Sequence, residues 1–271
     1  MFEKYDIVVV GGGHAGCEAA MAAANLGSKV MMVTMNMQNF AQMSCNPAMG
    51  GVAKGQVVRE LDALGGYSGI IADKTAIQFR ILNKSKGPAM WSPRTQNDRM
   101  MFSEEWRKAL ELNENIDFWQ DMVTGLVIEG NVVKGVTTKM GQEILGKSVI
   151  LSNGTFLNGK IYVGEKIVEG GRMGEKSSKG LTGQILEHGF KTGRMKTGTP
   201  VRVDGRTVDY SKMDVQNGDE VPRKFSFLRN IEPIKEQRNC WITYTSPKVH
   251  NELKKGFGFS PMFNERIQGI G

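Results

Sequence analysis

Cysteine is scarce in this 271-residue chain: Cys17, Cys45 and Cys240 are the only three, an odd number without metal-ligand spacing. That excludes a disulfide scaffold and a cysteine-built zinc site, and it leads us to expect a reducing, cytoplasmic setting and no metal. Histidine is equally rare, with three residues. No run of eighteen apolar residues occurs, so no membrane-spanning helix is expected. The first residues, Met1-Phe2-Glu3-Lys4-Tyr5-Asp6, lack a basic n-region, so no export signal is expected either. With 40% hydrophobic and 23% charged residues, the chain is neither disordered nor a coiled coil, and it is long enough to bury a core.

What is present is charge in one place. The net charge of +7 is not evenly spread. Residues 1–80 hold six groups of each sign, whereas residues 191–255 hold 14 basic and 8 acidic groups. A late, localised basic block suits a polyanion such as nucleic acid.

At the start of the chain, Tyr5-Asp6-Ile7-Val8-Val9-Val10 is the continuous β-branched run of a strand buried on both faces. It leads directly into Gly11-Gly12-Gly13-His14-Ala15-Gly16, in which Gly11, Gly13 and Gly16 give G-x-G-x-x-G. The first glycine permits the turn, the second lets backbone approach a pyrophosphate, and the third lets a helix pack closely on the strand. A helix to about Leu26 and a strand over 29–34 complete the unit. Thr34 stands where such units usually place an acid for the ribose.

The continuation favours a flavin dinucleotide. A simple nicotinamide domain would proceed in short βα units. Here a glycine-rich segment, residues 42–55, is followed by strands expected near 123–129, 132–138 and 143–151, with two-residue turns at Gly130-Asn131 and Met140-Gly141. The expected fold is α/β: a Rossmann-type FAD-binding domain with a parallel sheet and an antiparallel β-meander. Within the glycine-rich segment, Cys45 precedes Asn46-Pro47, Gly50-Gly51 and a helix expected from Gln56 to about Leu64. The paired glycines are expected to turn backbone N–H groups toward an anion, and with Lys54 and the helix N-terminus to favour a thiolate. A buried, inert cysteine is the alternative.

Five blocks together resemble one family: residues 11–20, 43–51, 62–66, Ile77–Asn83 with Ser85–Ala89, and Gly193-Arg194-Met195-Lys196-Thr197-Gly198-Thr199-Pro200. They are similar to the bacterial MnmG (GidA) flavoproteins that modify tRNA wobble uridines. The resemblance implies FAD as cofactor, NADH as reductant and methylenetetrahydrofolate as one-carbon donor. It further implies a GTPase partner in a heterotetramer, a homodimer, and a carboxymethylaminomethyl-type group installed at C5 of the uridine. It assigns Cys45 a catalytic role. Cofactor contacts fall to Gly11, Gly12, Gly13, His14, Ala15, Gly16, Val123, Ser178 and Gly271. Members of the family are longer, so a second cysteine motif and a helical region are expected beyond Gly271. Trp91 departs from the family pattern, where a basic residue is common.

Other functions remain in view: a folate-dependent tRNA uridine methyltransferase, a flavin disulfide oxidoreductase, or an inactive FAD-binding fragment. The oxidoreductase would need a partner cysteine close to Cys45, which the sequence lacks. Residues 1–198 are expected to form the FAD-binding domain and 199–271 a basic α+β insertion. In the basic block, Arg194, Lys196, Arg202 and Arg206, with Arg223, Lys224 and Arg229, are candidates to grip tRNA phosphates, and Phe225 and Phe227 to stack a base. A basic surface facing a partner subunit is the alternative. Glu18 is expected to stabilise its own helix dipole. Ser177 and Ser178 are expected to cap a helix over 179–189, and Trp106 and Trp119 to pack.

Overall fold

The computed structural model describes residues 4–264, 266 and 267. The assigned cofactor residue Gly271 lies outside them. Two compact units form: residues 1–153 with 216–240, and residues 154–215 with 241–271.

The first unit opens with strand β1 (Tyr5–Val10), helix α1 (His14–Asn25) and strand β2 (Val30–Thr34). Then come β3 (Ala48–Gly50), α2 (Lys54–Ala63), α3 (Ser68–Lys74), β4 (Ala76–Leu82), β5 (Ser92–Asn97) and α4 (Arg99–Glu111). Strands β6 (Ile116–Gln120), β7 (Val123–Glu129), β8 (Val132–Thr138) and β9 (Glu143–Leu151) complete it. One six-stranded sheet has the order β6-β2-β1-β9-β8-β7. β1 is parallel to β2 and to β9, β2 is parallel to β6, and β7-β8-β9 is antiparallel. The meander expected over 123–151 is therefore present strand for strand. β9 is shared: residues 143–145 pair with β8 and residues 146–151 with β1, so one strand joins the meander to the parallel sheet. The fold is the expected Rossmann-type α/β class.

Burial explains the order. Val9, Val30 and Met32 are fully enclosed, and α1 covers them with Cys17, Ala20 and Ala24. Small side chains on α1 bring the helix close to the sheet. Trp106 and Phe102 of α4 fill the same core, as expected of Trp106. A second, three-stranded sheet, β3-β5-β4, carries the segment after Cys45.

The chain does not divide at 198/199. Residues 216–240 pack on the first unit because Phe225 is fully buried in its core, edge-on to Phe79 at 6.4 Å. The second unit contains β10 (Lys160–Val163) and β11 (Lys166–Glu169), an antiparallel pair, with α5 (Leu181–Glu187) and α6 (Pro247–Lys255). The serine cap expected for the helix over 179–189 is not there. Gly180 is the N-cap without a side-chain bond, while Ser178 is buried in a bridge to Leu157. A short strand in the same region spans Cys240–Ile242.

Candidate functional site

β1 ends at Val10 and the chain turns at Gly11, which has φ +107°. The turn is pinned from β9, where Ser152 Oγ donates to Val10 O (2.8 Å) and to Gly11 O (3.2 Å). A Cβ on Gly11 would stand 2.6 Å from Ser152 O, and one on Gly16 would collide with Gly11 O. The protein's own packing thus requires both glycines. Gly13 differs: a Cβ there would meet nothing of the protein within 4 Å. α1 starts one residue later, with Gly13 as N-cap, no side-chain cap and no acid in its first turn. Its leading N–H groups and positive dipole end are left for an anion. These residues fit a dinucleotide pyrophosphate, and Ala15 and Gly16 lie in that first turn.

His14 is half-buried beside the turn. Its ring meets Phe102 edge-on at 5.5 Å, and Nε2 is buried without a partner among the described residues. Burial, and then the nearby Lys54, hold its pKa below the usual imidazole value, so it is neutral at pH 7. Val123 is buried at the start of β7, opposite Thr138.

Cys45 is half-buried in the loop before β3. Its surroundings differ from those expected. Gly50 and Gly51 do adopt positive φ (+90° and +96°), but Gly51 N–H donates to Pro93 O at 2.9 Å and Gly50 is a ladder residue of β3 opposite Arg94. The Gly51 donor therefore ties β3 to β5 and does not face an anion. Lys54 is the first residue of α2, two positions before the expected start. Cys17 is fully buried, its thiol donates to Gly12 O at 3.5 Å, and burial raises its pKa. Cys240 is half-buried and donates to Gln78 Oε1 at 3.3 Å.

Glu18 acts on a different helix from the one expected. Its carboxylate accepts the N–H groups of Tyr67 (3.0 Å) and Ser68 (2.5 Å), capping α3. The basic block is split. Arg194, Lys196, Arg202 and Arg206 lie in the second unit, and Arg223, Lys224 and Arg229 in the first. Arg206 is exposed and held by Asp204 at 2.6 Å, and Arg194 donates to Asn158 O at 3.0 Å. Lys224 donates to Ile231 O at 2.7 Å, which makes it a loop brace. Phe225 cannot stack a base because it is core; Phe227 is exposed and lies under Arg59, 4.2 Å from its guanidinium. Sequence reasoning missed Ser152, for which a serine just past a buried strand was the available signal.

A parallel sheet with a meander, a glycine turn and an uncapped helix N-terminus define a Rossmann-type dinucleotide-binding α/β protein. The family profile of glucose inhibited division protein A, GidA, matches residues 6–271, and the chain belongs to that family. It is 64% identical over 271 residues to a Cytophaga hutchinsonii protein named tRNA uridine 5-carboxymethylaminomethyl modification enzyme MnmG, covering 100% of this chain and 44% of that protein. A Christiangramia forsetii protein of the same name is 62% identical over 272 residues. Among solved structures, Aquifex aeolicus GidA superimposes with a TM-score of 0.93 at 47% identity, covering 99% of this chain and 46% of that one. The chain spans less than half the length of these relatives. Among the described residues, no helix is long and apolar enough to cross a membrane.

Proposed function

We propose that this chain carries the FAD-binding and cysteine-bearing part of a tRNA-modifying flavoenzyme. In this reading it adds a carboxymethylaminomethyl-type group at C5 of a wobble uridine. The observation that carries the reading is Gly13: the protein's packing gives it no reason to be glycine, whereas a pyrophosphate against α1 does.

FAD would be held by the Gly11–Gly16 turn and the first turn of α1, with the backbone of Val123 toward the adenine. When bound, it would supply hydride transfer, with NADH as reductant and methylenetetrahydrofolate as the source of the one carbon that joins C5 to the amine. Ser178 and Gly271 keep their flavin and nucleotide assignments from the family resemblance. This chain's own contributions are narrower. Neutral His14 packs beside the turn without adding a second charge, α1 presents N–H donors, and Cys45 offers a half-buried thiol as nucleophile or acid toward the uridine. Arg194, Lys196, Arg202 and Arg206 are proposed contacts to tRNA phosphates. The GTPase partner, the heterotetramer, the homodimer and the cytoplasmic location belong to the same proposal.

The test is tRNA modification by the intact protein, with and without the GTPase. Flavin absorbance and partner-dependent modification of the wobble uridine are expected. A protein that folds without flavin, or holds flavin and leaves tRNA untouched, overturns the reading.

A further inference from the structure

In the sheet β3-β5-β4 the cross-strand row through Thr95 is buried, while the row through Arg94 is half-buried and lies between the buried Gln78 and Ser92 of the same face. Met49, Thr95 and Phe79 align in register and are buried. The alternate register sets Arg94 of β5 opposite Gly50 on one side and opposite Arg80 of β4 on the other. Two arginines as direct cross-strand neighbours repel. Both are half-buried, and neither guanidinium has an ion pair or a side-chain hydrogen bond among the described residues. A third cation joins them. Lys54 reaches Ala48 O of β3 at 3.4 Å, and burial followed by Arg94 holds its ammonium below the ordinary lysine range. Three cations without a carboxylate gain nothing for the fold. An anion placed among them relieves the repulsion, and paired guanidiniums match the oxygens of a phosphate.

We propose that Arg80, Arg94 and Lys54 form a phosphate-binding site for the backbone of the RNA substrate. The neighbouring chain favours RNA as the source. Cys45 lies in the loop that enters β3, and that loop is fastened to β5 by Asn97 N–H donating to Pro47 O at 2.7 Å. A phosphate held at Arg94 therefore sits on the strand pair that positions the thiol proposed to act on the base. This site rests on the functional reading above and adds residues outside the basic block of 191–255.

The experiment compares the intact flavoprotein with Arg80→Gln/Arg94→Gln and Arg80→Lys/Arg94→Lys, measuring tRNA binding across a salt series. The glutamine pair is expected to weaken binding about tenfold or more and to lower the log–log salt slope by about 1.4–1.8, at roughly 0.7–0.9 per lost contact. The lysine pair should recover the slope, because the charge is kept, and it controls for folding. Flavin content and the KM for NADH should not change. An unchanged slope in the glutamine pair overturns the proposal. So does loss of flavin, which would assign the cations to the cofactor, or a raised KM for NADH with normal tRNA binding, which would assign the phosphate to the reductant. Wild-type protein that binds no tRNA would instead overturn the functional reading itself.

Discussion

Asp73 and Phe225 are joined across 152 positions of sequence: the buried carboxylate of Asp73 accepts the backbone N–H of Phe225 at 2.8 Å. Its other oxygen accepts Ser226 N–H, also at 2.8 Å, and the neighbouring Asp62 accepts Phe227 N–H at 2.7 Å. Arg59 completes the latch by donating to Lys224 O and Phe225 O, each at 3.1 Å. This is how residues 216–240 come to belong to the first unit. Asp73→Ala strands two buried donors, each worth about 1–3 kcal/mol, and should lower the midpoint of denaturant unfolding accordingly.

The same carboxyl makes stability depend on pH. Burial pushes Asp73 up to about 6, against the two N–H donors that favour its charged form. A carboxyl whose folded pKa exceeds its unfolded one binds its proton more tightly in the folded state. Its contribution to stability is therefore greatest below the unfolded value, falls as pH rises from about 4 to 6, and is fully lost above that. The difference in melting temperature between wild type and Asp73→Asn should change over that window and be constant from pH 6.5 upward. A constant difference from pH 4 to 7 would show that Asp73 does not titrate there.

The glycine turn separates packing from ligand binding. Gly16→Ala drives a methyl into Gly11 O and should destabilise the protein by about 1–3 kcal/mol whether or not flavin is present. Gly13→Ala meets no protein atom and loses only the N-cap preference for glycine over alanine, so its melting curve without cofactor should shift less than that of Gly16→Ala while its flavin content drops. Equal flavin content in Gly13→Ala and wild type would remove the pyrophosphate from this turn.

Glu18 links α1 to the N-terminus of α3. Glu18→Ala should cost about 0.5–2 kcal/mol, as loss of a helix cap does, seen as a lower unfolding midpoint. Amide exchange should accelerate at Tyr67 and Ser68 and stay unchanged at β1.

The three thiols should alkylate in an order set by their surroundings. Cys45, half-buried in a loop, should label first at neutral pH; Cys240, bonded to Gln78, second; and Cys17, enclosed and bonded to Gly12 O, last. Labelling rates by mass spectrometry check this order. In the intact protein, Cys45→Ser should abolish tRNA modification and leave the flavin spectrum unchanged. A Cys45→Ser protein that still modifies tRNA would end the catalytic assignment.

Local patterns were enough for much of this protein. The buried run Tyr5–Val10, the glycine turn, α1 and the three meander strands follow from apolar periodicity and turn residues that act within a few positions of one another. The motif blocks carry the family in the same way. Tertiary structure decided what depends on distant partners. Glu18 caps α3 and not its own helix because the fold brings Tyr67 and Ser68 to it. Phe225 is core and not a stacking platform because Asp73 and Arg59 hold its backbone in place. Gly51 donates its N–H to Pro93, which only the β3-β5 pairing provides. Arg80 and Arg94 are fourteen residues apart in a chain with 35 lysines and arginines, and only strand register makes them neighbours. A hydrogen bond or a charge pair is fixed by position in space, and one-dimensional spacing specifies that position only within a helix, a strand or a turn.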